Sequence, residues 1–279
     1  MCIRDSLSTA YENGFSPLST GCHVIIADGI KGTDEALVPV KGDYVKEAKI
    51  GQAIMDADII ISLNHFKGHE STGFGGAIKD LGMGCGSRAG KMEMHAAGKP
   101  EVDQSLCIGC GFCQKNCAHD AITITNHKAS INHDKCVGCG RCIGACPKDA
   151  THAGADNTNE ILNCKMAEYA LAVVQGRPQF HINLVQDISP CCDCHGCNDA
   201  PILPDIGMFA SADAVAIDQA CADACLRAEP IPGTRLSEMP HISDDHFINS
   251  YPVSEWRSQL SHGEKIGLGQ RAYELISMK

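Results

Sequence analysis

Cys107, Cys110, Cys113 and Cys117 stand in the run CIGCGFCQKNC, and Cys136, Cys139, Cys142 and Cys146 stand in CVGCGRCIGACP. One spacing, Cys-x2-Cys-x2-Cys-x3-Cys, therefore occurs twice. Thiolates at every third position of a tight loop can reach three corner irons of one 4Fe-4S cubane from a single short segment, and the fourth ligand comes from elsewhere. Zinc sites favour paired Cys-x2-Cys knuckles separated by longer spacers, and disulfide frameworks belong to small secreted chains. The chemistry expected is iron–sulfur, with two 4Fe-4S clusters as cofactors.

The doubled run resembles the two-cluster bacterial-type ferredoxins. That resemblance implies that each run gives its last cysteine to the other cluster. Cys107, Cys110, Cys113 and Cys146 would then hold one cluster, and Cys136, Cys139, Cys142 and Cys117 the second. The runs begin 29 residues apart, and AITIT, NHK and ASIN between them read as strand, turn and strand. Gly109, Gly111, Gly138, Gly140 and Gly144 lie among the ligands, where backbone wrapped closely round a cluster needs conformational freedom. Pro147 follows the last cysteine of the second run, whereas Ala118 holds that place in the first.

A second constellation spans residues 64–95. His65, Lys67 and His69 come first, then Gly73, Gly75 and Gly76, a short helix carrying Lys79, and then Cys85, Arg88 and Lys91. A glycine-rich loop opening a helix, with lysines and an arginine nearby, can cradle an anion through backbone N–H groups. Gly73, Gly75, Gly76, Lys79 and Arg88 form this expected anion loop. Lys67 would help to orient an anionic substrate or small anionic cofactor. His65, His69 and Asp193 are candidate proton carriers, and His65 and His69 are also candidate metal ligands. A third cluster of reactive types is PCCDCHGCND, residues 190–199. Cys192, Cys194 and His195, with Cys85 approaching from the earlier loop, form a candidate additional metal site. Asp213 suits a helix cap, and Asp205 and Asp218 flank the same strand end.

These groups need a scaffold. HVIIAD (23–28) and DIIISL (58–63) read as buried strands, and YVKEAKIGQAIMDA (44–57) as an amphipathic helix. Beyond the cysteine runs, residues 160–176 read as a helix, 180–188 and 206–210 as strands, and 212–226 as a helix. The fold expected is α/β, a mixed or parallel sheet core with helices on both faces, interrupted by an α+β two-cluster ferredoxin-like insertion. Residues 101–156 would be the insertion, with 7–100 and 157–279 forming one discontinuous α/β domain. The junctions AAGKPEVD and HAGADNTN have the composition of linkers.

The 279 residues carry a net charge of −11, with 44% hydrophobic and 5% aromatic residues. That charge and its scattered lysines argue against a nucleic-acid partner. No apolar stretch approaches the roughly 20 residues of a membrane span. Eighteen cysteines imply a reducing compartment, so the cytoplasm is expected. Met1 to Ser6, MCIRDS, match the translation of a sequencing-adapter end and are expected not to be protein sequence.

IIADGIKG, HFKGHESTGFGGAIKDLGMGCGSRAGK, the two cysteine runs, KMAEYA, CDCHGCNDAPILPDIGMFASADAVAIDQA and GEKIGLGQRAYELI together resemble the domain of unknown function 362 family. The branch is that of Fe–S centre proteins with an inserted two-cluster ferredoxin module. The resemblance runs from about Ala10, and since family members carry a further N-terminal α/β segment, the chain is expected to be N-terminally truncated. It implies Fe–S binding and no defined reaction. The function expected is an electron-transfer or oxidoreductase component, passing single electrons between two clusters and a site in the α/β domain. A redox protein or a small-molecule electron carrier would be the partner. The alternatives are a non-catalytic Fe–S or metal-handling protein, and a ferredoxin-type carrier whose α/β domain binds a partner protein.

Overall fold

Three strands organise the half of the molecule that carries the His/Lys/Cys loops. In a computed structural model of the chain, residues 3–95, 99–136, 138, 140–154, 158–195 and 198–278 are described. Gln179–Val185 is the central strand, parallel to Ile60–His65 on one side and antiparallel to Gly207–Ser211 on the other. The sheet is thus mixed, and the fold is α/β. Two units divide the chain, one from Met1–Val38, Ala48–Asp56 and Gly86–Asn157, the other from Pro39–Glu47, Ala57–Cys85 and Thr158–Lys279.

In the second unit, helix Asn159–Val174 is capped by Thr158, whose side chain accepts from the Ile161 N–H. Its residues are buried on every side, Leu162, Met166, Tyr169 and Val173 together with Asn163 and Glu168. An all-round apolar helix belongs in the centre of a domain. The π-helical turn Asp80–Gly84 lies against it so closely that a Cβ on Gly82 would meet the Met166 carbonyl oxygen at 2.3 Å. Helix Ala214–Arg227 packs on one face of the sheet, where Asn183 reaches Asp218 and Cys221. Phe66, Phe74, Phe247 and Trp256 stack under the hairpin of Lys67–His69 and Gly73–Gly75, with Phe66 and Phe74 ring centroids 4.8 Å apart.

The opposite face of the sheet corrects the expectation of helices on both sides. Ile61 and Leu63 are each 67% exposed and Met208 69%, so no helix among the described residues covers them. The strand expected at residues 58–63 therefore forms, as Ile60–His65, but is not a buried one, because an apolar run does not by itself supply the layer that would cover it.

The first unit holds the cysteine runs. Ile122–Thr125 and Lys128–Ile131 form an antiparallel hairpin through Asn126 and His127, both at positive φ, 50° and 55°, as a two-residue turn of matching twist requires. Pro100–Val102 pairs with Thr151–Ala153 and brings the ends of the segment together. Cys107, Cys113 and Cys142 are themselves part of the buried core, with Ile122, Ala129 and Ala150. Cys139 and the central junction residues 96–98 and 155–157 lie outside the described residues.

Two expected elements differ. Residues 23–28 form no strand; they run irregularly into turns at Gly29 and Gly32, and Ile25 is 68% exposed. Residues 44–57 are not one helix but the strand Glu47–Gly51 followed by the single turn Gln52–Met55. Ala48 and Ile50 are fully buried and Glu47 is exposed, an alternation of period two that a helical reading overlooks. No described helix is long and apolar enough to cross a membrane.

Candidate functional site

Two small cavities in the first unit are lined by cysteines. One has Cys107, Cys110 and Cys113 of the first run together with Cys146 of the second. The other has Cys136 and Cys142 of the second run together with Cys117 of the first. Each cavity thus joins residues from both runs, because helices Phe112–Asn116 and Arg141–Gly144 carry the last cysteines across. Gly109, Gly111, Gly138 and Gly140 have φ between 64° and 79°, the left-handed region in which glycine is unstrained. Gly144 sits in a helical turn and has no such need. The backbone also turns donors toward sulfur. The Ala129 N–H lies 3.3 Å from Cys107 Sγ. Burial pushes the Cys146 thiol up, but hydrogen bonds from the backbone at Lys148, Thr151 and Ala150 outweigh it and hold it below the ordinary cysteine value. Hydrogen bonds to sulfur are among the terms that set the potential of an iron–sulfur cluster.

The second unit assembles another polar site where strand Ile60–His65 ends. His65 Nδ1 lies 2.8 Å from Asp193 Oδ2 and its Nε2 lies 2.8 Å from the Gln186 carbonyl oxygen. Both partners accept, so both ring nitrogens donate. The Asp193 hydrogen bond accordingly raises the pKa of His65, although burial opposes it. Lys67 is 4% exposed; its ammonium donates to the His65 carbonyl at 2.8 Å and stands 3.4 Å from Asp193 and 3.9 Å from Asp80. Lys79, also buried, donates to Cys192 Sγ at 3.2 Å. Burial pulls the Lys79 pKa down, but the charges of Cys192, Asp80 and Cys194 prevail and raise it.

His69, Cys192 and Cys194 each offer one ligand atom, and these three atoms lie within 4.8 Å of one another. Two thiolates and an imidazole suit zinc or iron. His69 Nδ1 accepts from the Ser71 and Thr72 N–H groups at 3.0 and 3.2 Å, which places the proton of the neutral ring on Nε2. Burial and the neighbouring Cys192 push the Cys194 thiol up to about 11. A cation entering here therefore competes with protons on the ring and on sulfur.

This set differs from the one expected. His195 turns to Glu70, 2.9 Å from Oε1, and Cys85 makes a weak contact with the Asp80 carbonyl, so neither joins the group. His69 takes their place. Cys191 faces the Tyr251 hydroxyl at 2.8 Å, while Cys221 and Cys225 are buried core thiols whose pKa burial raises.

The expected anion loop also resolves differently. Lys67–His69 and Gly73–Gly75 form a hairpin, and Gly76 opens the helix Ala77–Lys79. The Ala77 and Ile78 N–H groups donate to Asp218 at 2.8 and 2.9 Å, so the anion held there is the chain's own carboxylate. Burial pushes Asp218 up to about 6 despite these bonds and a third from Asn183. The glycines serve close approach: a Cβ on Gly76 would meet Asp218 Oδ1 at 2.3 Å, and one on Gly73 the Trp256 Cβ at 2.7 Å. Lys79 faces Cys192, and Arg88 belongs to the other unit. Asp213 caps helix Ala214–Arg227 as expected, and Asp205 accepts from the Asp187 N–H.

The family described as Domain of unknown function (DUF362) matches residues 2–223. The chain belongs to this family. The matched span takes in both cysteine runs and both halves of the His69/Cys192/Cys194 group. Among curated proteins, none matches the chain.

Proposed function

We propose that this DUF362 member is a 4Fe-4S protein whose two clusters exchange single electrons with the polar site of the α/β unit. One observation carries the reading: each cysteine cavity unites one run with the last cysteine of the other. The donor set fits the group, since buried thiols, left-handed glycines and N–H groups aimed at sulfur occur together there. Cys107, Cys110, Cys113 and Cys146 hold one cluster, and Cys117, Cys136 and Cys142, with Cys139, hold the other. Residues 101–156 are the cluster-bearing insertion. When bound, such clusters supply one-electron chemistry at potentials that the protein sets by hydrogen bonding and solvent access.

At the α/β site, Lys67, Lys79 and the charged His65 offer positive charge to an electron-rich partner. Asp193 holds His65 and Lys67 in place. The Lys79 ammonium donates to Cys192 Sγ, and the neutral His69 ring carries its proton at Nε2 beside the same two thiols. Anaerobic purification with iron and sulfide analysis tests the reading: about eight irons per chain are expected, and four or fewer, or zinc in their place, contradict it.

A second reading, metal handling, is favoured by the His69/Cys192/Cys194 group. It predicts a labile metal beyond the cluster irons, lost when Cys192 and Cys194 are both changed to Ser.

A further inference from the structure

A cavity of about 560 Å³ lies in the cysteine unit and is open to solvent. Lys31, Arg88, Lys115 and Arg141 line it, and no carboxylate among the described residues does. Four cations converging on one hollow is unexpected in a chain of net charge −11. Neither Lys31 nor Lys115 has a side-chain hydrogen bond or ion pair among the described residues. Arg88 spends one N–H on the Gly140 carbonyl at 3.2 Å, and Arg141 one on Thr33 Oγ1 at 3.3 Å. Each guanidinium retains further donors.

The cavity also exposes an asymmetry in the repeat. Phe112, Lys115, Asn116 and Ala118 of the first run align with Arg141, Gly144, Ala145 and Pro147 of the second. Seven of these eight residues line the hollow, Pro147 being the exception. The repeat thus places a lysine on one side and bare backbone on the other. A Cβ on Gly144 would stand 3.5 Å from the Arg88 guanidinium, so any longer side chain there would occupy the space. Phe112, 54% exposed, and Ile30, 68% exposed, supply an apolar wall beside the cations.

We propose that this cavity binds a small organic polyanion, bearing phosphate or carboxylate groups, with an apolar portion against Phe112 and Ile30. Its volume falls in the range of about 300–1,000 Å³ typical of small-molecule sites. A lone inorganic ion would leave most of it empty. Cys117 is part of the lining, so the bound molecule lies beside a residue assigned above to a cluster. That last point rests on the proposed cluster reading, whereas binding itself rests on the cavity alone.

Calorimetry on the anaerobically purified full chain, at low salt, tests it with ADP, citrate and inorganic phosphate as probes. ADP or citrate is expected to bind at least about tenfold more tightly than inorganic phosphate, through several charge-assisted contacts. ADP binding alone identifies a phosphorylated ligand, and citrate binding alone a polycarboxylate. The double variant Lys115→Gln, Arg141→Gln should weaken binding by about tenfold or more. Gly144→Leu should abolish it with every charge retained, while Lys135→Gln, an exposed lysine outside the cavity, should leave it unchanged. Binding of neither organic probe at millimolar concentration, or binding unaffected by both cavity variants, overturns the proposal. Iron content of the same preparation reports separately on the clusters, so the two readings can fail independently.

Discussion

The cysteine unit and the polar site of the α/β unit are built in opposite ways. In the first, eight candidate ligands come from two stretches of eleven residues each, and local spacing decides almost everything. In the second, His69 meets Cys192 and Cys194 across more than a hundred residues, and the parallel pairing of Ile60–His65 with Gln179–Val185, with contacts such as His65–Asp193 and Gly68–Ser189, brings their loops together. A locally encoded site tolerates change in its surroundings. A site assembled by the sheet depends on every contact that fixes the two loops.

The largest effect that would sharpen this contrast is expected from Asp218→Ala. It leaves the Ala77 and Ile78 N–H groups and the Asn183 amide without their buried acceptor, at a cost of about 3–5 kcal/mol. Urea unfolding followed by Trp256 fluorescence should report that loss, while iron content of the folded fraction stays unchanged. Equal loss of iron would break the contrast.

Next in size, His69→Ala should weaken zinc or cobalt(II) uptake at the third site by about 100-fold, because one of three ligands is gone. Cys85→Ser and His195→Ala should leave it unchanged, since neither joins the group. Metal titration with absorption spectroscopy distinguishes them, and an equal effect from His195→Ala would restore the ligand set expected from sequence.

A smaller effect concerns pH. Hydrogen bonds to Cys164 and Glu168 raise His262 to about 9 from its ordinary 6.5. Glu168 in turn accepts the N–H groups of Asp43, Tyr44 and Val45, so the pair fastens a loop to the central helix. A histidine raised on folding stabilises fully below its unfolded pKa and loses that contribution as pH rises through the folded value. The α/β unit should therefore lose about 2 kcal/mol between pH 6.5 and 9, seen as a falling urea midpoint. Glu168→Gln should flatten that dependence. Least of all, Lys265→Ala should leave the midpoint unchanged, since its 2.6 Å pair with Asp43 is exposed on both sides.

What could be read from sequence follows the same division. Strand Ile60–His65 and helix Asn159–Val174 were legible because the first follows a short β-branched apolar run and the second is a long segment rich in helix formers, opened by a Thr158 cap. Residues 44–57 were not, because a strand and a helical turn adjoin there and their periods overlap. At the α/β site Cys192, Cys194 and His69 were each legible as ligand types, and what was not legible is that they meet. Neighbours in a tight loop cannot all face one point, so His195 points away to Glu70. His69 faces the thiols because its hairpin partner Gly73 packs on Trp256, a contact that no local pattern announces. The Gly73–Gly76 stretch signalled close approach, and the approaching anion proved to be Asp218.

The central claim is that the two runs exchange their last cysteines, and the double variant Cys110→Ala, Cys146→Ala tests it most directly. If both residues serve one cluster, the double variant and each single variant should all retain about four irons per chain, with a single reduced-cluster EPR signal. If each run holds its own cluster, the single variants should retain about four and the double variant none, and the crossed assignment would be contradicted.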